Sequence, residues 1–140
     1  MILDVEGAMI TYLTANMEKV IGHGNSTINL ERRKFTDQSA AEGVMVYAEV
    51  PGNNDAQTGY FYPVQMRILI RAYRPKRSWQ ITHNVDMLLD KRYHTNLSDD
   101  IELSSSNRNA GPVIFEGEGD HLHYCTMLYN CVFRYRGDDA

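Results

Sequence analysis

Residues 60–73, YFYPVQMRILIRAY, decide the fold. Tyr62, Val64, Met66, Ile68 and Ile70 alternate with Gln65, Arg67 and Arg71, with Leu69 among the polar set. That period of two reads as a strand with one buried face and one face polar enough to meet water or a partner. Pro63 has no N–H to give to a ladder, so it belongs near the strand's start or on an edge. Upstream, GVMVYAEV (43–50) is β-branched and aromatic, the composition of a second strand. Between the two, PGNNDAQTG is dense in turn formers, so the pair predicts a β-hairpin.

Outward from this hairpin, two amphipathic stretches read as helices. Pro75 and Ser78 are good starters for the first, and Ile81, Val85, Leu88 and Leu89 give it an apolar stripe to about residue 92. Residues 2–21 form the other, with Ile2, Val5, Met9, Tyr12 or Leu13, Met17 and Val20 recurring at helical spacing and Gly22 and Gly24 stopping it. Ile28 and Leu30 open a short strand, and the charged run Glu31–Lys34 leads into a loop. In the C-terminal part, Asp99–Ser104 reads as a short strand and SSSNRNAGP as a loop. Val113–Phe115 pairs with the segment C-terminal to it, EGEGD is a turn, and residues 121–136 form a long closing strand. The order helix, hairpin, helix, hairpin predicts an α+β fold. It is an antiparallel sheet of about four to five strands covered by two helices, in a single domain spanning residues 1–140.

Composition narrows the function. At 140 residues a single core buries roughly two-thirds of the unfolded chain's surface, so no disulfide or metal staple is required. A net charge of −4 suits solubility and argues against general nucleic-acid binding, which needs a basic surface. Arg67, Arg71, Arg74, Lys76 and Arg77 form the best local basic patch. Cys125 and Cys131, on one strand, lie about 20 Å apart, too far to bridge, and read as buried thiols in a reducing compartment. The opening MILDVEGAMI lacks the basic start and unbroken apolar run of a signal peptide. No window approaches the roughly 18 apolar residues of a membrane span, so no membrane partner is expected. The expectation is a protein made and kept in the cytosol, or built into something assembled there.

One constellation has the residue types of a metal site. His121, His123 and Cys125 alternate along a strand and so share a face, and two imidazoles with a thiolate are acceptable zinc ligands. No second cluster supplies a base or a fourth ligand, and the plainer reading places the histidines at a wet hairpin end with Cys125 opening the core. Glu116, Glu118 and Asp120 alternate in a Gly-rich turn without the spacing of a calcium loop. The sequence therefore assigns no catalytic residue, no cofactor and no metal. Its candidate interface groups are Arg67 and Arg71 on the polar strand face, Arg74 just beyond it, and the acidic Glu116, Glu118 and Asp120 as their partners on a neighbouring subunit.

The element order, with YFYPVQMRILIRAYR followed by a helix and a final strand ending in VFRYR, resembles the tail terminator proteins of long-tailed bacteriophages, often labelled minor capsid proteins. The resemblance covers nearly the whole chain, with residues 60–92 and 112–136 as its best segments. Family members often carry an acidic pair, Gly and Arg before the last strand, where this chain has EGEGDHLH without Arg. The resemblance implies a structural virion protein of the tail or neck. It implies a homo-oligomeric ring, usually a hexamer, seated on the tail tube protein and offering a surface to the head-completion or connector protein. Under it, Arg67, Arg71 and Arg74 line either a subunit interface or the lumen, where they would touch DNA non-specifically. Another neck or head-completion protein, a small zinc-dependent enzyme and a small ligand-binding domain are the alternatives.

Overall fold

The structure, a computed structural model, describes residues 3–22, 27–35, 42–49, 61–117 and 121–136. The deciding stretch forms a strand over Phe61–Ala72 at the centre of a six-stranded sheet. In chain order the elements are α1 (Val5–Ala15), α2 (Met17–Ile21), β1 (Asn29–Arg32), β2 (Gly43–Ala48), β3 (Phe61–Ala72), α3 (Pro75–Leu89), β4 (Arg92–Asn96), β5 (Ile101–Glu116) and β6 (His123–Tyr135). The strand order is β1-β2-β3-β6-β5-β4. β1 runs parallel to β2, and every other neighbouring pair is antiparallel.

The expected antiparallel sheet of four to five strands under two helices is therefore corrected. Among the described residues there is a mixed sheet of six strands with three short helices. Three local causes account for the difference. Residues 104–112, rich in turn formers, continue β5 against β6 rather than looping out. Register shifts at Leu103/Ser105, Arg108/Ala110 and Ala110/Val113 absorb the irregular residues as bulges, and the Gly111–Pro112 peptide is cis. Pro112 is tolerated there because β4 pairs with β5 only as far as Ser106, which leaves the strand beyond it with one open side. Second, α3 ends at Leu89 instead of near residue 92. Lys91 takes the left-handed region (φ 53°), and Arg92 enters β4. Third, the N-terminal helix breaks at Asn16, whose Nδ2 donates to Tyr12 O at 2.9 Å and starts a separate turn, α2.

Alternation on the two central strands places the core. Val64, Met66, Ile68 and Ile70 of β3 and Cys125, Met127, Tyr129, Cys131 and Phe133 of β6 are buried, in register with one another. They join Met9 and Leu13 of α1, Val20 of α2 and Ile81, Val85 and Leu89 of α3 in one cluster, so α1, α2 and α3 cover the same face of the sheet. Arg77 Nη1 and Asn84 Nδ2 on α3 donate to Ile21 O and Val20 O, satisfying carbonyls that the short α2 leaves open. Glu6 on α1 is a buried carboxylate that accepts from Ala48 N at 2.7 Å and Arg33 Nε at 3.1 Å, tying the helix to the end of β2. Among the described residues no helix is long and apolar enough to cross a membrane.

Candidate assembly surface

The helices lie on one face of the sheet, and among the described residues no helix covers the opposite face. It carries the polar set of β3 and β6, and the register brings these side chains into cross-strand rows. Gln65, Asn130 and Asn107 form one row across β3, β6 and β5. Gln65 Nε2 donates to Asn130 Oδ1 at 3.3 Å, and Tyr93 Oη donates to Asn107 Oδ1 at 3.3 Å. A shallow groove bounded by Pro63, Ser105 and Val132 surrounds this row. Its polar groups are amides and hydroxyls, which can hydrogen-bond a partner but cannot serve as acid or base near neutral pH.

The two predicted strand arginines are engaged inside the subunit. Arg67 Nε donates to Glu49 Oε1 at 2.7 Å, and Arg67 Nη1 donates to Thr126 Oγ1 at 3.1 Å. Arg71, a candidate interface group on the polar strand face, is buried in the single chain with its guanidinium 4.2 Å from the centre of the Phe35 ring. Phe35 reaches this position because Gly43 lies beneath it, where a Cβ would come within 2.7 Å of the ring. Phe35 also lies against Tyr124 (6.4 Å), which stacks on Phe115 (5.3 Å, 10°). Arg74 is the exposed residue preceding α3, and Glu116 ends β5, exposed, 3.8 Å from His121 Nδ1. Glu118 and Asp120 lie outside the described residues.

Both arginines of VFRYR turn toward one buried carboxylate. Glu102 sits 3.5 Å from Arg136 Nη1, 4.0 Å from Arg134 Nη1 and 3.3 Å from His94 Nδ1. Arg136 Nη1 also donates to Asn96 Oδ1 at 2.6 Å, so the motif fastens β6 to β5 and β4.

The zinc constellation does not assemble. His121 is exposed ahead of β6 with φ 58°, His123 opens the strand, and Cys125 is fully buried on the helix-covered face. Among the described residues, no three His, Cys, Asp or Glu side chains are grouped to hold a metal. Burial raises the Cys125 thiol above its ordinary value, against a lowering hydrogen bond from Thr82. Burial likewise pushes Cys131 up to about 11, with Ser106 acting in the opposite sense. Both thiols are free and held in their unreactive protonated form.

Exposed apolar side chains form a surface that alternation alone did not single out. Val113, Ile114 and Phe115 are solvent-exposed on the open stretch of β5, and Tyr73, Trp79 and Met87 are exposed at and along α3. Two signals in the sequence mark them. Three consecutive large apolar residues sit between Gly-Pro and an acidic turn, and Trp79 and Met87 fall off the stripe of Ile81, Val85 and Leu89.

The fold recurs among solved structures. A chain in the virion of a native gene transfer agent particle is similar over 95% of this chain and 99% of its own, with a TM-score of 0.66 and 11% identity. A second solved chain, whose description states no function, is similar over 91% of this chain and 92% of its own, with a TM-score of 0.53 and 12% identity. No family model matches the sequence, and no curated protein matches it.

Proposed function

We propose that this chain is a structural protein of a phage-like virion, acting as a tail terminator. Copies form a closed ring, a hexamer in the usual arrangement, that seats on the last layer of tail tube protein and presents its other side to the head-completion or connector protein. The observation that carries the reading is the end-to-end match of the fold to a chain of a gene transfer agent virion, with almost nothing left over on either side. The surface is consistent with it. The open face offers amides, hydroxyls and internally paired charges, and the apolar exposure lies on a strand edge and a helix back, where a neighbouring protein can cover it.

A ring answers a physical problem of tubes. Head-to-tail stacking along an axis never closes, so growth stops only when a layer offers no template for the next. A cap that is cyclic in its own plane meets that need and buries its strand edges against neighbours. The reading makes the protein a non-enzyme located in the tail or neck. Arg67 and Arg71 contribute to the subunit's own stability, and Arg74 is the predicted arginine left to meet a partner.

The test is sedimentation velocity of the purified chain, alone and with the tail tube protein encoded beside it, followed by imaging of the particle with the chain labelled. A ring that co-sediments with tubes and labels the tube's head-proximal end is the expected result. A chain that stays monomeric and ignores tubes would refute the terminator reading. Label at the portal side of the neck instead would assign it to another head-completion role.

A further inference from the structure

Two exposed apolar patches are left over by the core and by the internal ion pairs. The first is the free end of the β5–β6 hairpin. There Val113 and Phe115, 56% and 44% exposed, share the face opposite the helices, Ile114, 48% exposed, lies on the other face, and Glu116 comes directly after them. β4 stops pairing at Ser106, so among the described residues this stretch has β6 on one side and no strand on the other. The second is the outer side of α3. Helical spacing puts Lys76, His83 and Met87, with Trp79 beside them, opposite the buried stripe of Ile81, Val85 and Leu89. Tyr73 and Arg74 lead into it, both exposed.

The charges of the two patches are opposite. Arg74 and Lys76 have no ion-pair partner among the described residues, and the first turn of α3 holds no acidic residue. The hairpin end carries Glu116, with its side chain 60% exposed. Each patch is an apolar centre with a charged flank, and one flank is the complement of the other.

We infer that these are the two halves of one contact between copies of this chain, the hairpin end of one copy seating on the outer side of α3 of the next. The inference rests on the ring reading and names the contact that closes the ring. Two different, complementary patches on one chain make a head-to-tail contact, the kind that generates a ring when the rotation closes. The hairpin end brings Val113, Ile114 and Phe115 and the helix brings Tyr73, Trp79 and Met87, large apolar side chains suited to the fully buried core of an interface.

Charge reversal and mixing test the contact on the full chain, with sedimentation velocity over a concentration series as the readout. Lys76→Glu and Glu116→Lys each weaken assembly at least about tenfold, and the double variant recovers most of the loss. Lys76→Glu also places an acid in the first turn of α3, which favours the helix, so lost assembly there is not lost folding. Phe115→Asp removes the donor half and Trp79→Asp the acceptor half. Each variant alone is a monomer, while an equimolar mixture forms a stalled one-to-one pair through the single intact junction. Rings that survive both aspartate variants overturn this contact and leave the ring standing. Reversals that do not compensate, with no pair on mixing, overturn it in favour of another occupant of the patches, such as the tube protein. A wild-type chain that is monomeric throughout, with and without tubes, removes the ring reading itself.

Discussion

Replacing Gly111 by alanine tests the part of the fold that the sequence hides best. Gly111 has φ 88°, and a Cβ built on it falls 2.5 Å from Thr126 O and 3.1 Å from Met127 Cα. Those are backbone atoms of β6, which is itself held by β3 through Leu69↔Thr126 and Ile68↔Met127. β6 therefore cannot retreat without opening a second ladder, and β5 must lift away at its bulge instead. A left-handed alanine costs roughly 1–2 kcal/mol. Lost pairing around the bulge adds on the order of 1–3 kcal/mol. The stiffer unfolded chain returns about 0.4–1 kcal/mol. The net destabilisation is about 2–4 kcal/mol. In urea unfolding monitored by circular dichroism, this lowers the midpoint by about 1–2 M at unchanged slope. Ala110→Gly, one residue earlier at an exposed position, is the control and costs less than about 1 kcal/mol. A Gly111→Ala midpoint indistinguishable from wild type would mean that residues 107–112 do not cross β6 closely and form the loop their composition suggests.

Three further outcomes rest on buried polar groups. Glu6→Ala strands the Ala48 N–H and removes the Arg33 pair, costing about 2–3 kcal/mol, whereas Glu6→Gln keeps an acceptor and costs about 1 kcal/mol; equal losses in thermal or urea unfolding would contradict the assigned bond. Tyr129→Phe deletes the 2.7 Å hydrogen bond to Asp86 Oδ1, while Arg108 Nη1 still holds the other oxygen, Oδ2, at 2.9 Å, so the loss is about 1–2 kcal/mol, and no loss would place the hydroxyl elsewhere. Cys131, pushed up to about 11 from 9.0 by burial, keeps its proton when folded and sheds it sooner when unfolded. Its stabilisation is full below pH 9 and is lost as pH rises toward 11, and Tyr129, also raised by burial and by Asp86, acts in the same direction above pH 10. Urea midpoints should fall across that alkaline window, and less steeply in Cys131→Ala; a flat profile would show the thiol to be solvated.

Period-two alternation made β2, β3 and β6 legible, because the residues that face the helices are strongly apolar and their neighbours are not. The core of Met66, Ile68, Ile70, Met127, Tyr129 and Phe133 lies where that pattern puts it. The stripe of α3 was legible for the same reason. β5 was not, because its polar and turn-forming residues are tolerated by bulges and an open side, a property of its neighbours rather than of its own composition. β1 read as a short strand, but its parallel pairing with β2 depends on where the chain goes between them, and local composition does not encode that.

The candidate site shows the same division between residue type and surroundings. An arginine on the polar face of a strand looks like a hand held out to a partner. Arg67 has Glu49 within 2.7 Å, however, and Arg71 has the Phe35 ring, brought near by a glycine one strand away. Arg74, with no such neighbour among the described residues, kept its charge for the surface. The surroundings decide for apolar residues too. Val113–Phe115 looks like a piece of core, and what exposes it is the early end of the β4 pairing at Ser106, well before β5 itself stops at Glu116. A strand that outlasts its neighbour presents unpaired backbone and uncovered side chains together. At the other margin of the sheet, β1 is four residues long and is followed by Arg33 and Lys34. One margin is short and charged, while the other, past the polar strand β4, ends in three exposed apolar residues of β5, and a chain that worked alone would gain nothing from leaving those in water. That asymmetry, more than the arginine row, is the physical reason to look for this protein's activity in what it assembles with.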